Sequence, residues 1–280
     1  MRPVKHAPHY HCHMDYRLDV AMVQWQPQEN PADNTARVYD LARTASDADL
    51  IVFPEYSQHL SERLDVTAAD AAEAVDGQFV TALREMSAET EATVIAGMLE
   101  RDGDRVFNTL VACTAGAVAA TYRKVHLYDS FGGGESDWAS AGSAEQAAVI
   151  DVAGAPIGLQ TCYDLRFPET TRRLVDRGAE TIVIPADWVP GSLKEQQWLT
   201  LASARAIENT SYVLAVDVAP PLGVGHTTAF DPRGVAIAAA GDAPEAIVRT
   251  QLSSGEVARV RSANPSVSLR RYEVSPKALA

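Results

Sequence analysis

Residues 158–169 read Gly158-Leu159-Gln160-Thr161-Cys162-Tyr163-Asp164-Leu165-Arg166-Phe167-Pro168-Glu169. The stretch opens at the end of a strand-length apolar run, Ala155–Thr161. It closes on Pro168-Glu169, a favourable first turn for a helix over Pro168–Arg177. A cysteine stands between them. A thiol between a strand end and a helix start lies near backbone N–H groups, which lower a thiol pKa and can bind an oxyanion. Cys162 therefore reads as a nucleophile or as a buried structural cysteine, and its context has to decide.

Strands and helices alternate on either side of this stretch. Upstream, Arg17–Trp25 and Leu50–Phe53 read as strands, with a helix over Pro31–Asp47 between them. Asn30 is its N-cap and Pro31 its first helical position. A helix over Gln78–Thr90 precedes a meander of Thr93–Leu99, Val106–Cys113 and Val118–Tyr122. Its first turn is Arg101-Asp102-Gly103-Asp104. After a polar, glycine-rich loop (Asp129–Ser143), Ala147–Val152 pairs with the strand that leads into Cys162. Downstream come strand Glu180–Ile184, helix Lys194–Asn209 and strand Ser211–Val218. Thr227–Phe230 and Val235–Ala239 flank the turn Asp231-Pro232-Arg233-Gly234, and Glu245–Leu252 is the last strand. There is no internal sequence repeat and no linker. The pattern predicts one α/β domain over residues 17–262 with helices packed outside sheet. Residues 1–16 read as a disordered leader and 263–280 as an irregular tail.

Composition narrows the function. The 280 residues are 46% hydrophobic and 22% charged, with a net charge of −13, which argues against nucleic acid as a partner. No apolar run approaches the length of a membrane span. Three cysteines, Cys12, Cys113 and Cys162, form no disulfide framework and suit a reducing compartment, the cytoplasm. Cys113 falls inside a strand and reads as inert core. The start holds His6, His9, His11, Cys12 and His13. It reads as leader, or as sequence ahead of a true start at Met14. A metal site there would lack a second ligand cluster.

Two more residues carry chemical promise. Glu55 follows the buried strand Leu50-Ile51-Val52-Phe53-Pro54, and ligand sites in α/β sheets gather at such strand ends. Desolvation there raises a carboxylate's pKa toward a value useful for proton transfer; the alternative is a surface loop glutamate. Lys124 follows the strand Val118–Tyr122 and offers a compact charge for an oxyanion; the alternative is a solvated strand-end lysine. His126, two residues on, points the same way along an extended segment and makes a Cys–His mechanism a rival. It reads mainly as a structural hydrogen-bonding group, and His226 as structural or pocket-lining. Asp187 and Trp188 sit at a further strand end, and Tyr56 follows Glu55. All three are candidates to line a substrate pocket.

Taken in order, Phe53-Pro54-Glu55, Tyr122-Arg123-Lys124-Val125-His126-Leu127 and Cys162 through Glu169 resemble the nitrilase superfamily of carbon–nitrogen hydrolases. The resemblance runs from about Asp19 to Leu252 and includes Arg205–Asn209 and Gly225–Gly234. It implies a four-layer α-β-β-α sandwich, a homodimer or larger assembly, and no cofactor or metal. It places Glu55, Lys124 and Cys162 on a catalytic triad of base, oxyanion partner and nucleophile, with the backbone N–H of Tyr163 beside the oxyanion. Glu135 falls on a fourth family glutamate that keeps the lysine charged. The text after the cysteine is closest to the ω-amidase and deaminated-glutathione-amidase branch. The expected reaction is hydrolysis of a small amide, with Arg166 the candidate partner for a substrate carboxylate. Nitrile or N-carbamoyl hydrolysis, acyl transfer to an amine, and a non-catalytic scaffold are the alternatives.

Overall fold

Strand β1 (Arg17–Gln24) shows how the layers arise. Successive side chains of a strand point to opposite faces. Leu18, Val20 and Met22 enter one apolar cluster, whereas Ala21 and Val23 enter another. A strand buried on both faces belongs to the middle of a layered structure. The computed structural model describes residues 15–277 and shows those layers.

The first sheet continues from β1 through helix α1 (Pro31–Thr44), β2 (Leu50–Val52), helix α2 (Gln78–Glu89), β3 (Thr93–Asp102), β4 (Arg105–Thr114) and β5 (Ala117–Arg123). The second half runs β6 (Val149–Val152), β7 (Ala155–Leu159), helix α3 (Pro168–Asp176), β8 (Thr181–Ala186), helix α4 (Lys194–Asn209), β9 (Tyr212–Asp217), β10 (Thr228–Phe230) and β11 (Ala236–Ala239). Strand β12 (Ala246–Ser253) and helix α5 (Ser254–Ala263) follow. The sheet orders are β12-β1-β2-β3-β4-β5 and β11-β10-β9-β8-β7-β6. Strands β1, β2 and β3 are mutually parallel, as are β7, β8 and β9, and every other pairing is antiparallel. Each half thus repeats one plan, although the sequence carries no repeat.

Three clusters separate four layers. Val20, Met22, Leu50, Ile95 and Leu110 of the first sheet meet Ile157, Leu159, Val183, Leu214 and Val216 of the second. On its other face the first sheet buries Ile51, Val94 and Val111 against Val38 and Leu41 of α1 and Phe79 and Leu83 of α2. The second sheet buries Ile182, Ile184 and Val213 against Leu174 of α3 and Trp198 of α4. The result is the expected α-β-β-α sandwich. Among the described residues no helix is long and apolar enough to cross a membrane.

Some boundaries differ from expectation. Helix α1 ends at Thr44, not Asp47, where Ala45 leaves helical geometry. The β3–β4 hairpin is tighter, with Asp102 paired to Arg105 and Gly103 in the left-handed region. A short 3-10 helix, Val66–Ala71, and helix α5 were not foreseen. Helix α5 is only weakly amphipathic, which hides it in the sequence. Its start is marked by Ser253, whose hydroxyl accepts from the Glu256 N–H. The expected leader lies outside the described residues except for Asp15 and Tyr16. Tyr16 is packed rather than disordered: it is buried, and its hydroxyl donates to Glu180. Residues 264–277 carry no helix or strand.

Candidate active site

The parallel strands of both sheets end on one side of the sandwich. Glu55 follows β2, Cys162 follows β7 and Asp187 follows β8, each at a C-terminal strand end. Lys124 directly follows β5. Glu55 is wholly buried, and its approach depends on Gly97 of β3. A Cβ at Gly97 would stand 2.7 Å from both Glu55 Cα and Tyr56 N. The Gly97 N–H donates to the Pro54 carbonyl at 3.2 Å, so the loop lies directly on the strand.

Lys124 Nζ donates to Glu55 Oε1 at 2.9 Å and to Glu135 Oε2 at 2.8 Å, with all three side chains buried. Asn108 of β4 reaches Glu55 Oε1 at 2.6 Å and Glu135 Oε1 at 2.8 Å through Nδ2. Tyr56 donates its hydroxyl to Glu135 Oε1, and the Tyr128 N–H donates to Oε2. The second oxygen of Glu55 accepts the Asp187 N–H at 2.7 Å. The carbonyl of that same residue lies 3.6 Å from Cys162 Sγ. One residue of the second sheet therefore touches both the carboxylate and the thiol.

Cys162 has a φ of +42°, a conformation that a non-glycine residue adopts only when its surroundings enforce it. Asp164 supplies much of that enforcement. Its Oδ2 accepts from the Tyr122 hydroxyl and the Thr161 N–H, and its Oδ1 accepts from the N–H of His126 and pairs with Nδ1 at 2.7 Å. Tyr122 and His126 flank Lys124, so Asp164 ties the lysine segment to the cysteine turn. His126 also stacks on Phe167 at 3.7 Å.

Electrostatics follow from burial. Desolvation raises the Glu55 pKa; Lys124 opposes the rise and Glu135 adds to it. Burial alone would lower Lys124, but Glu135 and Glu55 overcome it and hold the ammonium charged. Cys162 departs from expectation. Burial, reinforced by the Glu55 charge, pushes its thiol well up rather than down. The desolvation of this closed position outweighs any help from nearby N–H groups. The resting thiol is neutral and needs a base. Asp187 is likewise pushed well above the usual carboxylate range by burial and then by Glu55.

A cavity of about 270 Å³ opens over this cluster. Nine of the residues singled out in the sequence line it: Glu55, Tyr56, Lys124, Glu135, Cys162, Tyr163, Arg166, Asp187 and Trp188. His126 and His226 do not line it; His226 faces Glu195 at 3.3 Å instead. Cys113 is buried under α2 with its thiol raised to about 11 by burial. The sequence reading overlooked Asn108, Tyr128, Phe131, Asp164 and Lys194. Asn108 had a signal, an amide within the otherwise apolar run of β4. Lys194 had none, because a lysine opening a helix looks solvated. Among the described residues no group of histidine, cysteine or acidic side chains could hold a metal ion.

Two sheets closing on a buried glutamate–lysine–cysteine cluster define a hydrolase site, and the sequence profile of the carbon–nitrogen hydrolases matches residues 19–262. The chain belongs to the carbon–nitrogen hydrolase family, enzymes built on a Glu-Lys-Cys triad. It is 37% identical over 228 residues to a deaminated glutathione amidase of Escherichia coli O157:H7, covering 81% of this chain and 86% of that protein. It is 34% identical to a 2-oxoglutaramate amidase of Paenarthrobacter nicotinovorans, covering 92% of this chain and 91% of that protein. A CN-hydrolase superfamily protein from Xanthomonas campestris, solved with an arsenic adduct in its active site, superposes with a TM-score of 0.84 at 27% identity. That match covers 93% of this chain and 100% of the other.

The contact between Gly97 and the Glu55 loop gives a direct test. Gly97→Ala is expected to displace Glu55 and cost about 1–3 kcal/mol by overpacking. Denaturant melts and amide turnover should both fall. Retention of wild-type turnover would show that the loop position does not matter.

Proposed function

We propose that this protein hydrolyses a small, carboxylate-bearing amide to an acid and ammonia through a thioester on Cys162. The observation that carries this reading is the buried arrangement in which Lys124 lies between Glu55 and Glu135 while Cys162 lines the same cavity. The amidases among its relatives support the reaction class, and Arg166 in the cavity wall supports an anionic substrate.

The neutral thiol gives its proton to Glu55 as sulfur attacks the amide carbon. Negative charge then collects on the carbonyl oxygen, beside the Lys124 ammonium and the backbone N–H of Tyr163. Glu55 returns the proton to the leaving nitrogen, the C–N bond breaks and ammonia departs. Glu55 next takes a proton from water, whose oxygen attacks the thioester; the C–S bond breaks, the acid is freed and Glu55 returns the proton to the Cys162 sulfur. Glu135 keeps Lys124 charged and fixed throughout. Tyr56 and Asn108 hold Glu135, while Asp187 and Trp188 wall the cavity. The unpaired thiols of Cys113 and Cys162 support a cytoplasmic setting. Pairing of two copies, implied by the family resemblance, belongs to the same proposal; a one-chain mass by light scattering would remove it.

Cys162→Ala is expected to lower ammonia release by about 10⁴-fold or more, because the acyl-enzyme route disappears. Substrates for the assay are succinamate, other ω-amides, deaminated glutathione, N-carbamoyl amino acids and simple nitriles. Turnover of nitriles alone would refute the amidase assignment. The raised Glu55 pKa sets the pH dependence. Only ionised Glu55 accepts the thiol proton, so kcat/KM is retained above its pKa and lost as pH falls through it. The acid limb should therefore lie above the ordinary glutamate value of about 4.3. A limb at or below that value would remove Glu55 as the base.

A further inference from the structure

Lys194 breaks several local rules at once. It is the first residue of α4, where the helix dipole disfavours a cation, and the preceding Leu193 supplies no side-chain cap. It is only 6% exposed. Its neighbour in the cavity wall is another cation, Arg166. Burial and then Arg166 depress its pKa. Among the described residues neither cation has a carboxylate within ion-pair distance. Lys194 is closed off from solvent and Arg166 partly so, and two cations set together without a carboxylate partner leave room for an anion.

The two cations are not equally available. Arg166 donates through Nη2 to Gln197 Oε1 at 2.7 Å, and its Nε is walled off from solvent without a partner. Its guanidinium lies 4.8 Å from the Trp188 ring centre and 5.3 Å from that of Phe131. Lys194 Nζ donates once, to the Tyr128 hydroxyl at 2.9 Å, which leaves two N–H directions unused. The rings of Phe131, Tyr128 and Trp188 lie 4.4, 4.9 and 5.5 Å from it and cradle the ammonium. Arg63 on the cavity rim is no competitor, since its side chain is 90% exposed and faces Asp65.

We propose that Lys194 is the main specificity-determining residue of this site and directly binds the carboxylate of the substrate, with Arg166 as a clamped second charge. This rests on the reading of the cavity as an amide site and adds which side chain distinguishes an anionic amide from a neutral one. A hydrogen bond between charged groups in a buried site is worth about 10- to 100-fold in affinity.

Calorimetry on Cys162→Ala protein reads the effect without turnover, using succinamate and butyramide as matched four-carbon probes. With Lys194 present, succinamate should bind more tightly than butyramide. In Lys194→Met that gap should narrow about 10- to 100-fold, and Lys194→Arg should restore much of it. Thermal melts report whether the fold is kept. With Cys162 intact, Lys194→Met should raise KM for succinamate more than it lowers kcat. A gap of the same size in Lys194→Met, or a larger loss in Arg166→Met than in Lys194→Met, would overturn the assignment. If the wild-type protein releases no ammonia from either amide, the proposed reaction fails while the calorimetric gap still decides the role of Lys194.

Discussion

The structure depends on an ammonium held between two carboxylates, all three nearly closed off from bulk solvent. Lys124, Glu55 and Glu135 are each costly to bury, and breaking a buried pair by removing one partner leaves an uncompensated charge. Their contacts are therefore mutually obligatory. Asn108 and Tyr56 saturate the carboxylate oxygens on one side, and the backbone N–H groups of Asp187 and Tyr128 do so on the other. Every layer next to the first sheet has to be in place for this cluster to form. Glu55 comes from a strand end, Lys124 from the end of β5 three strands away in sheet order, and Glu135 from the glycine-rich loop.

The two halves of the chain contribute different chemistry through one plan. In the first half, the strand ends deliver the charged groups. In the second, they deliver the thiol and the backbone of Asp187. The sheets pack through an apolar interior of aliphatic side chains, which fixes their separation and leaves the polar groups gathered at one end. The cavity above them presents Glu55, Lys124 and Cys162 together with Arg166, Lys194 and aromatic rings. Such a lining suits a ligand that carries both a reacting group and a charge.

Much of this is legible in the sequence, for identifiable reasons. Strands such as Arg17–Gln24 and Thr181–Ala186 declare themselves because they are short, apolar and β-branched. Glu55 and Cys162 declare themselves because each interrupts such a strand at its end. What the sequence hides is whatever depends on distance along the chain. The sheet order cannot be read from periodicity. Asp164 looks like an ordinary turn residue until Tyr122 and His126 arrive from another sheet. Lys194 looks like a solvated helix start, and only the packing of Trp188, Tyr128 and Phe131 around it shows otherwise. The direction of the Cys162 shift is missed for the same reason. Local N–H groups are visible in sequence, whereas the depth of burial is set by residues far along the chain.

Asp187 has a consequence of a mechanical kind. It belongs to one sheet, yet its N–H grips a carboxylate carried by the other while its carbonyl faces the sulfur. The spacing between nucleophile and base is thus set in part by one residue that touches both, beside the Asp164 contacts that join the lysine segment to the cysteine turn. Sliding one slab past the other by an ångström would leave every strand and helix intact and still disarm the chemistry. Catalytic output is therefore a finer gauge of slippage between the slabs than any measure of secondary structure, and gentle perturbation should silence this protein well before it unfolds.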